Sequence, residues 1–206
     1  MAAKSSPPFS FRLPNIALGN SHGILYLHHQ ATPRIIHRGI EPSHVLLDSD
    51  FRAFISGFGF AMIIPDGETQ VTKDFVKGTI GYLAPEFMLG KVNESCDVYS
   101  FGILLLELAS GRKPILDTSS TMKNAIVDWA LALVCEKKFS EIVDPKLKGN
   151  YVEEEFKRVI VVGLMCAQDL FEKRPTMIDV VELLKGEPKA KFSNKESSKM
   201  FRSYIL

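Results

Sequence analysis

The side chains of this sequence that could do chemistry are concentrated between residues 36 and 60, where His37, Arg38, Glu41 and His44 fall close together. Histidine and glutamate are residue types that move protons or bind metal ions. The histidines of the chain form no short metal-ligand motif, so loop or helix-end positions are the simpler interpretation. Any chemistry in this stretch therefore depends on the elements that position it.

Short apolar runs predict the elements around the stretch. A helix is expected from about residue 14 to residue 29, where apolar residues recur at helical spacing. Small strands are predicted at 35–36, 45–47 and 51–55, separated by turn residues. Residues 59–84 are predicted to form a long polar loop of the kind that carries function.

The second half of the chain predicts a helical core. Residues 96–108, CDVYSFGILLLEL, are apolar almost all round, which is typical of a helix in the middle of a domain. Further helices are predicted over residues 126–134, 153–168 and 176–186. Thr176 and Asp179 have the spacing of a capping box at the start of the last one. The predicted fold class is mainly α-helical with a few short β-strands.

Composition limits the class of protein. With 206 residues, 46% hydrophobic and 24% charged, the chain suits one globular domain, and a net charge of +1 gives no reason to expect nucleic acid as a partner. Cys96, Cys135 and Cys166 are predicted to be buried, reduced thiols of an intracellular protein. No apolar run approaches the roughly 18 residues of a membrane span.

Five motifs, in a fixed order, carry a family resemblance. They are HRGIEPSHVLLD, SGFGFA, GTIGYLAPE, CDVYSFGILLLELASGRKP and EKRPTM. Together they resemble the C-terminal lobe (C-lobe) of a protein kinase. Their amino-acid sequences are similar to those of plant receptor-like and receptor-like cytoplasmic kinases, in the branch of the Pto-interacting kinases.

The resemblance implies a domain organisation. A kinase C-lobe is expected over residues 14–186, with residues 1–13 disordered and residues 187–206 forming a flexible tail. Within the lobe, the catalytic-loop region is residues 36–60, the activation segment residues 57–86 and the helical core residues 96–186.

Several residues match the structural motifs of the family. They are His37, Arg38, Phe58, Gly59, Glu86, Asp97 and Arg174. The resemblance implies that His37 packs in the lobe core and that Arg38 meets a phosphorylated activation loop. It also implies that Asp97 holds the catalytic-loop backbone, and that Glu86 and Arg174 form a partly buried ion pair. These roles concern folding.

The residues that perform phosphoryl transfer in the family are replaced. Gly39 stands at the position of the catalytic base, and Glu41 at that of a lysine which steadies the transferred phosphoryl group. His44 and Gly57 stand at the two magnesium-ligand positions. Glycine cannot accept a proton or bind a cation, and neutral histidine is a poor ligand for magnesium. No intact catalytic, cofactor or metal site is expected.

The residues before His37 contain neither a glycine-rich phosphate loop nor the strand lysine of the family. The expectation is therefore a kinase-like C-lobe without its N-terminal lobe (N-lobe), and no cofactor. Its apolar surface at the lobe boundary would favour partner binding or aggregation. Binding of Mg-ATP is expected only if an N-lobe is supplied.

Three hypotheses stay open. The first is an inactive pseudokinase fragment that binds a protein partner, such as another kinase or a receptor, in the cytoplasm or at the plasma membrane through that partner. The second is an ATP-dependent Ser/Thr kinase of the receptor-like cytoplasmic class, with the N-lobe missing from this sequence. The third is a decaying gene product. Thr69, Thr72 and Thr79 remain as phosphate acceptors, with a solvated loop as the simpler interpretation.

Overall fold

A computed structural model describes residues 12–72, 77–114, 125–147, 149 and 151–186. Most of the N-terminal segment expected to be disordered, and the tail at 187–206, lie outside these residues. The same holds for Lys73 and Asp74 of the predicted activation segment.

Short strands and longer helices alternate along the described chain. The helices are α1 (Leu13–His29), α2 (Glu94–Ser110), α3 (Ala125–Cys135), α4 (Glu153–Cys166) and α5 (Met177–Lys185). The strands are β1 (Arg34–Ile36), β2 (Val45–Leu47), β3 (Ala53–Ile55), β4 (Met62–Ile64), β5 (Val71–Thr72) and β6 (Lys91–Val92). This confirms the mainly α-helical class with short strands.

Helix α2 lies at the centre of the core. All but three of its 17 residues are buried, among them Phe101 and Leu105. Its most extensive packing is with α4, and it also contacts α1 and α3. Because its apolar residues surround the helix, it can be covered on every side by other helices. The helix predicted from CDVYSFGILLLEL is therefore the hub of the domain.

Two glycines allow α2 and α4 to approach closely. A Cβ atom built on Gly102 would lie 2.7 Å from the Gly163 carbonyl oxygen and 2.8 Å from the Ala167 nitrogen. Backbone atoms cannot move aside as the end of a flexible side chain can. The crossing therefore requires a residue without a side chain at Gly102.

We expect Gly102→Ala to lower the free energy of unfolding by about 1–3 kcal/mol, the usual cost of overpacking a core. The measurement is urea unfolding followed by circular dichroism. Gly59→Ala is the matched control, because a Cβ atom at Gly59 has nothing within 4 Å. Equal stability of the two variants would contradict the proposed close approach.

The strands form three antiparallel pairs: β1 with β4, β2 with β3, and β5 with β6. The prediction that residues 59–84 are a loop was wrong for β4 and β5. Strand β4 pairs with β1, so that Arg34 faces Ile64 and Ile36 faces Met62. This pairing joins residues about thirty positions apart, and local composition does not reveal it.

Two local predictions had different outcomes. The capping box of α5 is confirmed, because the Thr176 hydroxyl accepts a hydrogen bond from the Asp179 N–H and the Asp179 carboxylate accepts one from the Thr176 N–H. The prediction that all three cysteines are buried was wrong for Cys135. It is the last residue of α3 and is exposed, whereas Cys96 and Cys166 are buried. Burial raises the pKa of the Cys96 and Cys166 thiols, which stay protonated.

Candidate functional site: the degenerate catalytic loop

The loop between β1 and β2 is fixed to α2 through one carboxylate. Asp97, in the first turn of α2, accepts hydrogen bonds from the backbone N–H groups of His37 and Arg38, each at 2.7 Å. Its Oδ2 atom also lies 3.0 Å from Nε2 of His28, near the end of α1. Asp97, His28 and His37 are buried, and Arg38 is partly buried. One buried charge therefore joins the loop, α1 and α2.

His37 lies in the core of the site as a neutral side chain. Its Nε2–H donates to the Ser56 carbonyl oxygen at 2.9 Å, and its Nδ1 accepts from the Gly39 N–H at 3.1 Å. Burial lowers the pKa of His37 and outweighs the opposing charge of Asp97. The ring also packs edge-on against Phe58, with centroids 4.8 Å apart. Both ring nitrogens of His37 are therefore engaged in hydrogen bonds to the backbone.

Arg38 holds the segment that follows Gly57. It adopts a left-handed backbone with φ of 62°, and its Nε–H donates to the Phe60 carbonyl oxygen at 2.6 Å. Burial lowers the pKa of its guanidinium, although this group keeps its charge at any physiological pH. Its Cζ atom lies 6.0 Å from the ring centroid of Phe87, just after Glu86. Arg38 thus lies between the start and the end of the activation segment.

The two positions that bind magnesium in the family are in direct contact. Nδ1 of His44 donates to the Gly39 carbonyl oxygen at 2.7 Å, which fixes the imidazole ring. A Cβ atom built on Gly57 would lie 2.6 Å from Nε2 of this ring and would overlap Cγ and Cδ2. Gly57 also has φ of 81°, a left-handed conformation that favours glycine. The His44 ring therefore occupies the space that a side chain at position 57 would need.

Gly39 differs from Gly57 in that it has room for a side chain. A Cβ atom built on it would be 3.5 Å from the rings of His37 and His44, an ordinary van der Waals distance. The absence of a carboxylate at the base position is thus not imposed by crowding.

Glu41 is held in hydrogen bonds on the side of the loop that faces the activation segment. Its carboxylate accepts from the hydroxyl of Ser43 and is also hydrogen-bonded to Thr79. Burial alone would raise the pKa of Glu41. The two hydrogen bonds, with the charges of His44 and Lys113, outweigh burial and lower it. A negative charge therefore stands at this position at neutral pH.

The end of the activation segment is anchored by a buried ion pair. Arg174 contacts the Glu86 carboxylate through both terminal nitrogens, at 2.6 Å and 2.8 Å. Its guanidinium also donates to the carbonyl oxygens of Gln168, Ser95 and Asp169. These partners satisfy its donors, as a buried charge requires. The pair connects residues 88 positions apart and fixes the segment to the helices.

The side chains at the site do not fit a magnesium nucleotide. Magnesium prefers oxygen ligands in octahedral geometry. Gly39 and Gly57 offer none, and His44 offers an imidazole whose Nδ1 is engaged with a carbonyl group. Across the described ranges, no group of three His, Cys, Asp or Glu side chains could hold a metal ion. No catalytic step through a bound metal follows from these residues.

The motifs and their geometry correspond to a known family. Residues 11–185 match the family model described as protein kinase domain. The chain belongs to the protein kinase family. The assignment of residues 37–44 to the catalytic loop and of Gly57–Phe58–Gly59 to the start of the activation segment stays a prediction from the motifs.

Relatives among curated proteins place the kinase domain in a plant group. The chain is 44% identical over 189 residues to a PTI1-like tyrosine-protein kinase of Arabidopsis thaliana, covering 91% of this chain and 52% of that protein. It is 42% identical over 184 residues to a proline-rich receptor-like protein kinase of the same organism, covering 87% of this chain and 29% of that protein. The chain thus spans about half the length of the first relative and less of the second.

Sequence reasoning missed two parts of the site. His28 lies in the last turn of α1, as predicted for a helix-end histidine, but its burial one turn after Ile24, on the same face of the helix, was not predicted. That helical phase was the signal for burial, and hence for a partner. The second part is a hydrogen bond from the Tyr82 hydroxyl to Glu107, where burial and the carboxylate raise the pKa of Tyr82.

None of the described helices is both long enough and apolar enough to cross a bilayer.

Proposed function

We propose that this protein is a catalytically inactive kinase-like domain that acts as a protein interaction module in plant receptor-kinase-type signalling. The observation that carries the proposal is the contact between His44 and Gly57. The imidazole ring at one magnesium-ligand position occupies the space that a side chain at the other position would need. In addition, the glycine at position 39 removes the side chain that serves as the catalytic base in the family. On this proposal the domain needs no cofactor.

The size of the catalytic defect follows from general chemistry. A positioned general base contributes roughly 10² to 10⁴ in rate. The metal ions contribute further stabilisation of charge on the phosphoryl group, and that contribution is lost with both ligands. Glu41 would in addition repel the phosphate, where the family has an attractive charge. These three losses act on the same step.

The partner surface we propose is the cleft beside Glu41. It has a volume of about 280 Å³ and is lined by Glu41, Thr79, Tyr82 and Lys113 together with the neighbouring Ile80. Ile80 is 72% exposed, which is unusual for an isoleucine beside polar groups. A protein partner would cover this isoleucine and meet a charged rim. Such a partner, another kinase or a receptor, would hold the domain in the cytoplasm at the inner face of the plasma membrane.

An active protein kinase is the second candidate. The names of the relatives favour it, since both are kinases and this chain covers only part of each. It requires phosphoryl transfer with Gly39, His44 and Gly57 at the catalytic positions. Phosphate acceptors such as Thr69 and Thr72 would then be targets of the domain itself or of a related kinase.

The experiment is a pair of measurements on the purified 206-residue chain with and without Mg-ATP. We expect a cooperative thermal unfolding transition whose midpoint does not change. A nucleotide bound at a concentration of 100 times its dissociation constant would stabilise the chain by about 2.7 kcal/mol, a shift of roughly 5–10 °C. Radiolabelled phosphate transfer is measured in parallel, with the PTI1-like kinase of Arabidopsis thaliana as the positive control.

The outcomes separate the hypotheses. Magnesium-dependent transfer to the chain or to a general substrate would disprove the inactive domain and support the kinase. A soluble aggregate without an unfolding transition would support the decaying gene product.

A further inference from the structure

An apolar pocket opens to the surface where α2, α3 and α4 meet. It has a volume of about 420 Å³, which lies in the usual range of ligand-binding pockets. Buried or half-buried side chains from the three helices and the turn after α4 form its floor; they are Tyr99, Val127, Leu131, Leu164 and Ala167. None of its lining residues belongs to the degenerate loop at residues 37–44. A ligand bound in this pocket would therefore occupy a site of its own.

One wall of the pocket is held in place by Arg174. Its Nε–H donates to the Gln168 carbonyl oxygen at 2.7 Å, and a terminal nitrogen donates to that of Asp169 at 3.2 Å. Its Cζ atom also lies 4.9 Å from the ring centroid of Tyr99. The guanidinium is itself fixed by the buried ion pair with Glu86. The pocket is therefore formed before a ligand binds, which reduces the free-energy cost of association.

The apolar surface continues beyond the pocket at its rim. Leu170 belongs to the lining and is 56% exposed to solvent. A small molecule that filled only the pocket would leave this side chain bare. A peptide can place one side chain in the pocket and cover the rim with the next residues. The shape of the surface therefore favours a peptide.

Two carboxylates determine the charge at the mouth of the pocket. Asp128, in the first turn of α3, and Asp169, just after α4, both line the pocket and are exposed. Within the part of the chain that the structure describes, neither carboxylate has an ion-pair or hydrogen-bond partner. Lys173 also lines the pocket, but it already interacts with another residue of the chain. A positively charged ligand would complement the two carboxylates, and an acidic one would be repelled.

We propose that this pocket binds a peptide segment of a protein partner, in which an apolar anchor residue stands next to a lysine or arginine. The anchor, a leucine, methionine or phenylalanine, enters the pocket against Leu131. The basic side chain lies between Asp128 and Asp169, and a second apolar residue of the peptide covers Leu170. This site is separate from the cleft already proposed as a partner surface. The inference therefore goes beyond the proposed function and does not rest on it.

Selection from a phage library of random short peptides on the purified 206-residue chain tests the inference. We expect the enriched peptides to carry an apolar residue beside a lysine or arginine. Synthetic copies of these peptides are then titrated against the chain by fluorescence anisotropy. Leu170→Ser should lower their affinity roughly tenfold, because the contact with a half-exposed leucine is lost. Asp128→Asn with Asp169→Asn should lower it about 2- to 30-fold, the sum expected for two exposed ion pairs.

Two matched controls separate the pocket from the rest of the surface. Ile178→Ser also removes an exposed aliphatic side chain, but this residue lies on α5 and does not line the pocket. Asp66→Asn with Glu68→Gln changes the net charge by the same amount in the exposed loop after β4. Neither control should change the affinity. Because all the substituted side chains are exposed, we expect every variant to keep the thermal unfolding transition of the unchanged chain.

Three results would overturn the inference. The first is selection of no peptide, or of peptides without a basic residue beside an apolar one. The second is an affinity that Ile80→Ser abolishes and Leu170→Ser leaves unchanged, which would place the peptides at the cleft beside Glu41. The third is a concentration-dependent dimer in sedimentation experiments that Leu170→Ser abolishes, which would make a second copy of the chain the occupant.

Discussion

Replacing Asp97 with alanine is expected to lower the free energy of unfolding by about 3–5 kcal/mol, as for the loss of one partner from a buried ionic network. The carboxylate is the acceptor for the His37 and Arg38 N–H groups and for His28. In the variant these donors remain buried without a partner, and the desolvation free energy of each one destabilises the folded state. The loop would also lose its attachment to α2.

Urea unfolding measures the loss, and hydrogen exchange at the His37 and Arg38 amides locates it. Glu94→Ala is the matched control, because Glu94 lies in the same turn of α2 and pairs with Arg34 in a partly exposed ion pair. Pairs of this kind contribute about 0.2–1 kcal/mol. If Asp97→Ala cost no more than Glu94→Ala, the carboxylate would not be what holds the loop.

Gly57→Ala is expected to lower the free energy of unfolding by about 2–3 kcal/mol. The left-handed backbone at residue 57 accounts for about 1–2 kcal/mol of this. The added Cβ atom also forces the His44 ring away and breaks its hydrogen bond to Gly39, which is worth about 1 kcal/mol. The two contributions can be separated, because Gly67 has φ of 87° but nothing within 4 Å of a Cβ atom. Gly67→Ala therefore measures the backbone contribution alone.

A double-mutant cycle tests the contact between His44 and Gly57. The variant with both Gly57→Ala and His44→Ala should be more stable, by about 1 kcal/mol, than the sum of the two single losses. Unfolding free energies of the four proteins give this coupling. Additive losses would mean that the ring does not occupy the space beside Gly57.

The sequence predicts the elements whose signal is local. Helix α2 was recognised because its apolar residues surround the helix, and the start of α5 because Thr176 and Asp179 have a capping spacing. Strand β4 was missed because its partner β1 is distant in the chain. The exposure of Cys135 was missed because the last residue of a helix has no helical neighbour on one side.

For the site, the sequence gives residue types but not contacts. The replacement of the base and of the magnesium ligands can be read at Gly39, His44 and Gly57. The contact between His44 and Gly57 cannot be read from the sequence, because thirteen positions and a hairpin separate the two residues. The partner of His28 is likewise visible only in three dimensions, where α1 and α2 meet.

The contact between His44 and Gly57 also restricts the order in which these two positions can be changed by design. With the present backbone, a side chain at position 57 and the imidazole at position 44 require the same volume. Position 44 must therefore change before, or together with, position 57 if the chain is to carry a carboxylate there. A smaller residue at position 44 is the permissive step, and the reverse order leads through a steric clash.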